Sequence, residues 1–438
     1  MRAIYWFKRD LRLDDNRALA AAVNRCSELI PIFIFDPDLL DDFNSRNQKL
    51  GFILDALRPL ATRIRLYCFY EKTETVFDRL IHQLKPDAIY TARAFSWQGE
   101  KRDETVRQIA ERNRVRFQAV PDNFLADFTQ IPFTRVFSHF FRRWQERLDL
   151  GRVTVRLDRI SIPRLELPDL DRLLKQFPEL DQPNRYWQAD QADSRLTGID
   201  FENYSRTRDR LDIAGPSRLS PYIRFGIISV RELYRRAVPR SPTYVRELAW
   251  REFWYHIKYH FPELNRLEFQ ERRRRLRWGN NEKWLRAFLE ARTGYPLIDA
   301  ALIQLRTENW LHNRLRMILA SFLTKDLLID WRHGERFFRQ QLLDYDEVAN
   351  TGNWQWCASV GPDPRPLRVF NPLLQAQRYD PDCRYIRTWL PELRDADCAA
   401  RDNPLRYRLN YHPPIVNHYQ QLHLIRSIYK TRDEAARI

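Results

Sequence analysis

The sequence is poor in glycine and methionine: its 438 residues include 11 glycines and two methionines, and no two glycines are spaced G-x-G. This excludes the common glycine-rich phosphate-binding turns, G-x-G-x-x-G and G-x-x-x-x-G-K-S/T. Cysteine is also scarce, and no pair has C-x-x-C spacing. An odd, scattered set predicts reduced thiols rather than a disulfide framework or a zinc site, and we expect no metal. The cysteines are Cys26, Cys68, Cys357, Cys383 and Cys398.

Long apolar segments are also missing. No run approaches the roughly 20 residues of a membrane span, and the N-terminus enters a strand without a signal-type segment. We therefore expect a cytoplasmic protein without membrane contact. Lys and Arg outnumber Asp and Glu by 74 to 58, which gives a net charge of +16 and a pI near 9.7. This excess favours a polyanionic partner, nucleic acid in particular.

Short apolar runs rich in β-branched and aromatic residues divide the first third of the chain. They lie at 3–7, 29–35, 64–70, 88–92 and 115–120. Amphipathic stretches of helical period separate them, which predicts a five-stranded, Rossmann-like parallel sheet covered by helices. After about residue 195, segments of helical period dominate. We therefore predict an α/β domain at 1–125, a connector at 126–195 and an all-α domain at 196–438.

The stretch WLHNRLRM, residues 310–317, places an amide and two arginines among large apolar side chains. On a helix, four of these residues would share one face with the spacing i, i+3, i+4 and i+7, and a second arginine would lie on its flank. The face consists of Trp310, Asn313, Arg314 and Met317, and the flanking residue is Arg316. Such a helix would present polar donors and soft apolar groups to one ligand.

Two further segments combine polar groups with indoles. ELAWREF brings Glu247, Trp250 and Arg251 onto one helical face. DYDEVANTGNWQWCAS supplies Asp344, Asp346, Asn350, Trp354 and Trp356. Taken singly, each set has a structural explanation, such as an ion pair between Arg316 and Asp344. Taken together, they predict a pocket for an aromatic cofactor carrying phosphates, because buried amide, guanidinium and carboxylate groups are costly without a polar ligand.

The segment AGPSRLSPYIRFG, residues 214–226, contains hydroxyl and guanidinium groups that could bind phosphate. Ser217, Arg218 and Ser220 lie on a turn that leads into a helix, whose amino end favours an anion. The arginine run ERRRRLRW at 271–278 is either a solvated helix end or a patch that contacts phosphates.

Together these segments resemble the photolyase/cryptochrome flavoprotein family, and within it class I cyclobutane pyrimidine dimer photolyases. The resemblance covers nearly the whole chain, in the family's order. The matching segments are WFKRDLRLDDNRAL (6–19), SRLSPYIRFG, ELAWREFWYH, TGYPLIDAAL, NWLHNRLRM, KDLLIDWRHGERFF, DYDEVANTGNWQWCAS and YHPPIVNH (411–418). It implies one noncovalent FAD in the helical domain and a second, antenna chromophore, which is a folate, a deazaflavin or a flavin. Arg9 and Asp103 are the candidate contacts of the antenna.

The resemblance also implies roles for individual residues. Those that would contact FAD are Tyr204, Ser217, Arg218, Leu219, Ser220, Arg251, Trp310, Asn313, Arg316, Asp344, Asp346 and Asn350. Those that would face a pyrimidine dimer flipped out of DNA are Arg208, Glu247, Trp250, Arg314, Met317 and Trp356. Asn313 would lie at N5 of the flavin, and Arg316 paired with Asp344 would balance charge beside the ring. Light would excite the fully reduced flavin, which would donate one electron to the dimer. The cyclobutane ring would then open and the electron would return to the flavin.

The implied electron-transfer chain departs from the family's pattern. Its first two positions are Trp354 and Trp331, but the third tryptophan is replaced by Phe288. Because phenylalanine is hard to oxidise, either Trp284 or another aromatic substitutes, or photoreduction is impaired; repair would not require it. The implied catalytic residues are Glu247, Asn313, Trp331 and Trp354.

Three other functions share part of this evidence. A cryptochrome, a blue-light receptor without repair activity, would share fold and flavin, but the residues implied to face the dimer are intact. A (6-4) photolyase would carry paired histidines, whereas His312 stands alone. A nucleic-acid-binding module would explain the charge but not Asn313, Arg316 and Asp344. We therefore predict a monomeric photolyase that acts on UV-damaged DNA.

Overall fold

The computed structural model describes residues 1–40, 46–279, 281–365, 367–398 and 411–435. The chain forms two compact units. The α/β unit comprises Met1–Asp127, Gln145–Ile199 and Arg218–Arg240, and the helical unit comprises Phe128–Trp144, Asp200–Ser217 and Ser241–Ile438. The domain limits at 125 and 195 stay a prediction, because the units are defined by packing and each draws on separate stretches of the chain.

A five-stranded parallel sheet, in the order β3-β2-β1-β4-β5, is the centre of the α/β unit. Its strands are β1 (Arg2–Phe7), β2 (Glu28–Phe35), β3 (Tyr67–Tyr70), β4 (Ala88–Ala92) and β5 (Arg116–Val120). Nearly every residue of β1, β2 and β4 is buried, which explains their continuous apolar sequence. Each predicted run overlaps one of these strands, so the predicted sheet and fold class are confirmed.

Helices surround the sheet and make up the helical unit. In chain order the described α-helices are α1 (Arg17–Val23), α2 (Pro37–Leu40), α3 (Arg46–Arg63), α4 (Thr73–Leu84), α5 (Trp97–Arg112), α6 (Phe137–Gln145), α7 (Leu170–Gln176), α8 (Ala192–Thr197), α9 (Tyr204–Thr207), α10 (Ser220–Arg224), α11 (Val230–Ala237), α12 (Pro242–His260), α13 (Glu282–Leu289), α14 (Pro296–Glu308), α15 (Asn313–Ser321), α16 (Trp331–Gln341), α17 (Glu347–Cys357), α18 (Pro372–Tyr379), α19 (Arg384–Trp389) and α20 (His418–Ala435). A π-helical turn at Phe322–Asp326 follows α15. Among the described residues, no helix is long and apolar enough to cross a membrane.

A buried charge network joins α11 to the rest of the α/β unit. Arg231 is fully buried, and its Nε donates to Asp15 Oδ2 at 3.0 Å. Its Nη2 lies 3.3 Å from Asp122 Oδ1, and Asp122 also pairs with the buried Arg12. Ser229 donates to Asp15 as well. Each carboxylate is therefore paired with a guanidinium group, as buried charges require.

One expectation about cysteine is wrong. A disulfide joins Cys383 to Cys398, which are 15 residues apart in the sequence, whereas all five thiols were predicted to be reduced. Cys383 directly precedes α19 and Cys398 follows the short helical turn at Pro391–Leu393, and the Cα atoms of the two cysteines lie 5.7 Å apart. Cys26, Cys68 and Cys357 are free and buried.

Candidate functional site

The stretch 310–317 is only partly helical, which corrects the predicted continuous face. Helix α14 ends at Glu308, Asn309 follows in the left-handed conformation, and α15 begins only at Asn313. His312 caps α15, because its Nδ1 accepts a hydrogen bond from Arg314 N at 3.0 Å. Trp310 therefore lies in the preceding loop, where it is buried, while the Asn313 side chain is exposed at the helix start. Asn313, Arg314 and Met317 share α15 as predicted.

The predicted ion pair is present in the helical unit. Arg316 Nη2 donates to both carboxylate oxygens of Asp344, at 2.8 and 3.1 Å, and its Nε donates to Leu311 O at 2.9 Å. The Asp344 side chain is almost fully buried, whereas a quarter of the Arg316 side chain is exposed. A fixed cation with one open side is a suitable neighbour for a planar group that acquires negative charge.

Asp346 and Asn350 organise the start of α17 and its contact with α16. Asp346 Oδ1 accepts from the backbone of the first turn of α17, and its Oδ2 accepts from Tyr255 OH at 2.6 Å. Asn350 Nδ2 donates to Glu335 Oε1 at 3.0 Å. Burial raises the pKa of Glu335. Both predicted residues are therefore fixed by neighbours on other helices.

A chain of alternating charges connects three of the residues predicted to face DNA. Arg208 Nη1 donates to Glu247 Oε1 at 2.6 Å, and its Nε lies 3.8 Å from Asp209 Oδ1. Asp209 Oδ2 in turn accepts from Arg314 Nη2 at 2.9 Å. The Arg314 guanidinium lies 4.7 Å from the ring centroid of Tyr379, on α18. Sequence reasoning missed Asp209 and Tyr379, although Asp209 directly follows Arg208 and could have been noticed as its neighbour.

Indole rings form a continuous wall beside this chain of charges. Trp250 stacks face to face on Phe137 of α6 at 3.8 Å, with an interplanar angle of 2°. Trp356 meets the edge of Trp250 at 5.4 Å. Trp254, which the sequence did not single out, lies on α17 at Gly352, where a Cβ would approach its Cε3 to 2.2 Å. Glycine is required there, because any side chain would displace the indole.

The predicted electron-transfer residues lie on adjacent helices. Trp354 packs on α16 at Gly334, where a Cβ would come within 2.0 Å of the indole, and Trp331 lies one turn earlier on α16. Trp331 is buried, and its Nε1 donates to Glu268 Oε1 at 3.3 Å. Phe288 is fully buried between Phe322 and Phe337. Trp284, the suggested substitute, is half-buried on α13.

The residues predicted to bind phosphate are divided between the two units. In the helical unit, Ser217 Oγ lies 2.9 Å from Tyr244 OH, and the Tyr204 ring packs on Tyr244 at 4.8 Å. Burial raises the pKa of Tyr244 to about 12, so its hydroxyl stays protonated. Tyr244 was missed because its sequence context is that of an ordinary core tyrosine.

Arg218, Leu219 and Ser220 belong to the α/β unit, with Arg218 in the left-handed conformation against Trp187. Arg251 is half-buried on α12, and its guanidinium lies 6.0 Å from the ring of Tyr255.

At the carboxyl end of the sheet, Asp103 is already engaged by its own unit. It forms a buried ion pair with Lys8, and its Oδ2 accepts from Ala94 N at 3.0 Å. Burial lowers the pKa of Lys8, although Asp103 opposes that effect. Asp103 therefore orders the loops after β1 and β4, while the half-buried Arg9 follows Lys8 directly.

Comparisons with known proteins agree along the chain. Residues 3–161 match the family model of DNA photolyase, and residues 244–431 match that of the FAD binding domain of DNA photolyase. A deoxyribodipyrimidine photo-lyase from Synechococcus sp. is 34% identical over 97% of this chain and 96% of its own length. The chain therefore contains an FAD-binding domain.

Solved structures have the same fold. An archaeal photolyase from Sulfolobus tokodaii, whose crystal structure is described with two FAD molecules, has a TM-score of 0.90 and 32% identity over 98% of this chain and 100% of that one. A cryptochrome from Synechocystis sp. has a TM-score of 0.87 over 98% and 99% of the two chains, but at 23% identity it supports the fold alone. The chain belongs to the DNA photolyase family.

Proposed function

We propose that this protein is a light-driven photolyase that splits cyclobutane pyrimidine dimers in UV-damaged DNA. The observation that carries the proposal is the half-open chain of charges Glu247, Arg208, Asp209 and Arg314 beside the stacked Trp250. This arrangement offers hydrogen bonds to a pyrimidine, cations to its phosphates and a flat apolar wall to its rings. These are the groups that a base taken out of the duplex requires.

The helical unit has the polar groups that FAD needs. The buried Trp354 Nε1 has no hydrogen-bond partner among the described residues, and Asn313 presents an exposed amide at the start of α15. The residues of the helical unit that we propose to hold FAD are Tyr204, Ser217, Arg251, Trp310, Asn313, Arg316, Asp344, Asp346 and Asn350. Contacts of FAD with Arg218, Leu219 and Ser220, which belong to the α/β unit, stay a prediction. Bound reduced FAD supplies the light-driven electron. Arg316, held in place by Asp344, would present a fixed guanidinium group, and Trp354 and Trp331 would provide a route for electrons from outside.

The chain's own contribution to repair is binding and orientation. Glu247 accepts a hydrogen bond from Arg208 and would offer its other carboxylate oxygen to a pyrimidine. Trp250, Trp356 and Met317 would bound the dimer, while Arg208 and Arg314 would meet its phosphates. No nucleophile is needed, so the activity depends on geometry and electrostatics.

The test uses purified protein with its flavin chemically reduced and an oligonucleotide containing one thymine cyclobutane dimer. We expect blue light to restore two thymines, detected by chromatography, and the dark sample to remain unchanged. A protein that contains reduced flavin but leaves the dimer intact would contradict the proposal. The same assay on a (6-4) lesion would then distinguish the other photolyase activity from a cryptochrome without repair.

We also propose a second, antenna chromophore in a monomeric, cytoplasmic protein. The relative described with two FAD molecules supports a flavin, and a folate or a deazaflavin is the alternative. Arg9 is the better candidate for contacting the antenna chromophore, because Asp103 already pairs with Lys8 and accepts a hydrogen bond from Ala94 N. Absorption spectra of the chromophores released by denaturation would identify the antenna, and release of a single FAD per chain would contradict this proposal.

A further inference from the structure

Phe133 is an aromatic side chain held in place but left half exposed, with 50% of its surface accessible. It stacks on His256 at a centroid distance of 6.2 Å and an angle of 18°, and it packs against His260 at 5.4 Å and Phe269 at 6.4 Å. The backbone beside it is also fixed, because Thr134 N donates to His256 Nε2 at 3.2 Å. A fixed ring with an open face is a platform for stacking a planar group.

A cleft of about 400 Å³ adjoins this ring through Phe269. Its lining residues are Arg135, Phe269, Gln270, Glu271 and Arg272. Its floor is rigid, because Gln270 N donates to Val360 O at 2.9 Å and Gln270 Nε2 donates to Gly361 O at 2.7 Å. Phe269 N donates to Gln355 Oε1 at 2.9 Å. The cleft is therefore formed before any ligand binds.

The charge of the cleft comes from arginines. Arg272 Nε and Nη2 donate to Gln270 Oε1 at 3.2 and 3.1 Å, which holds the guanidinium at the cleft. Arg135 is exposed, and no carboxylate of the described residues lies within salt-bridge distance of it. Glu271, the acidic member, is paired with Arg274 at 3.5 Å. The exposed members of the arginine run are Arg272, Arg274, Arg275 and Arg277. The cleft is thus positive beside an open aromatic face.

We propose that this cleft binds an unpaired stretch of DNA, with phosphates on Arg135 and Arg272 and one base stacked on Phe133. Arginine and an aromatic face together suit a single strand, because each nucleotide offers one phosphate and one planar ring. A duplex offers phosphates only, since its bases are already stacked. The inference rests on the proposed function only in naming DNA as the polyanion.

The cleft is close in sequence and space to the proposed dimer-facing wall. Trp250 and His256 lie on the same helix, six residues or about 9 Å apart along its axis. Phe137, which stacks on Trp250, follows Phe133 by four residues. We expect a strand bound in the cleft to continue along α12 towards the indole wall, which would extend the bound segment beyond the dimer.

The experiment measures fluorescence anisotropy of the FAD-loaded protein in the dark, with an undamaged oligothymidylate of about ten nucleotides and a duplex hairpin of equal length. We expect Phe133→Leu to weaken single-strand binding about tenfold, the loss of one stacked base, and to change duplex binding by less than about threefold. Phe133→Trp should retain wild-type affinity. Replacing Arg135 and Arg272 together by Gln should lower the slope of log Kd against log salt for the single strand by about 1.4.

Matched controls lie elsewhere on the helical unit. Tyr419→Leu removes an exposed aromatic ring, and Arg384→Gln with Arg387→Gln removes two exposed cations of α19; neither should change single-strand binding. Equal losses for Phe133→Leu and Tyr419→Leu, or equal losses for single strand and duplex, would overturn the proposal. So would displacement of the oligonucleotide by polyglutamate at equal charge concentration, because the cleft would then recognise charge alone.

The same samples separate this inference from the proposed function. Single-strand binding that depends on Phe133, in a protein that leaves the dimer intact under light, contradicts photolyase activity alone. Repair in a protein whose single-strand binding is indifferent to Phe133 contradicts the cleft alone.

Discussion

The two units differ in how far their paired charged side chains are exposed to solvent. In the α/β unit, Arg231 is fully buried and shares its hydrogen bonds with Asp15 and Asp122. In the helical unit, Arg314 and Asp209 pair at 2.9 Å while 16% and 38% of their side chains remain exposed. A closed network can only stabilise the fold, whereas a half-open one can exchange a carboxylate for a phosphate. Accessibility of the charges therefore distinguishes scaffold from site.

The largest loss in the free energy of unfolding should come from breaking the closed network around Arg231. Arg231→Met leaves the two buried carboxylates partly unpaired, and we expect the free energy of unfolding of the α/β unit to fall by about 3–5 kcal/mol. Urea denaturation measures it. Arg235→Met is the control. Arg235 is a third exposed, reaches Asp15 only at 3.9 Å and otherwise contacts Glu232 and Leu150 O, so its loss should lower the free energy of unfolding by less than about 1 kcal/mol. Equal effects of the two variants would contradict the comparison.

The next largest loss in the free energy of unfolding should come from removing the disulfide of the helical unit. Cys383→Ser opens a loop between residues 15 apart, and the chain-entropy model gives a loss of about 3 kcal/mol in the free energy of unfolding. Thiol titration of the unfolded protein should find three thiols before reduction and five after it. Reductant should destabilise the wild type but not Cys383→Ser. Five thiols without reductant would show that the bond is absent.

Acid should weaken the helical unit through two buried histidines. Burial lowers the pKa of His256 and of His312 to about 4, from an ordinary value of 6.5. Between these values the unfolded chain binds more protons than the native one, so the stability is complete above about pH 6.5 and is lost as the pH falls towards 4. We expect a loss of about 2–3 kcal/mol per histidine, measured by urea denaturation at a series of pH values.

His312→Asn tests the second histidine separately. Asparagine can cap α15 without titrating, so its pH profile between 6.5 and 4 should be flatter than that of the wild type. An unchanged profile would mean that His312 contributes nothing to the acid sensitivity.

The smallest effects on the free energy of unfolding, and the clearest effects on repair, should come from substitutions in the half-open chain of charges. Glu247→Gln keeps the shape but removes a charged acceptor, and we expect repair to fall about tenfold while the unfolding free energy changes by less than about 1 kcal/mol. Asp209→Asn, which loosens Arg314, should weaken binding of dimer-containing DNA about threefold. A loss of stability as large as that of Arg231→Met would place these residues in the scaffold instead.

Sequence alone predicted the elements that depend on local pattern. All five strands were found, because β1 to β4 are largely buried apolar runs and the less buried β5 still contains Phe117, Ala119 and Val120. The helix face at 310–317 was only partly right, since the left-handed Asn309 and the His312 cap delay α15 to Asn313. Asp209, Tyr244 and Tyr379 were missed because their roles arise from contacts between distant segments. The pairing of Arg316 with Asp344 was predicted by family resemblance, and spacing alone could not distinguish it from an ordinary ion pair.

Two glycines give the indoles of the helical unit little room to move. Trp354 lies directly on the backbone of α16 at Gly334, and Trp254 lies on that of α17 at Gly352. Neither ring can shift unless a helix moves with it, because close-packed interiors transmit displacement rather than absorb it. Thermal variation in the separation of Trp354 from its neighbours should therefore be small. Since electron tunnelling falls steeply with distance, oxidation of Trp354 should follow a single exponential rather than a broad distribution of rates.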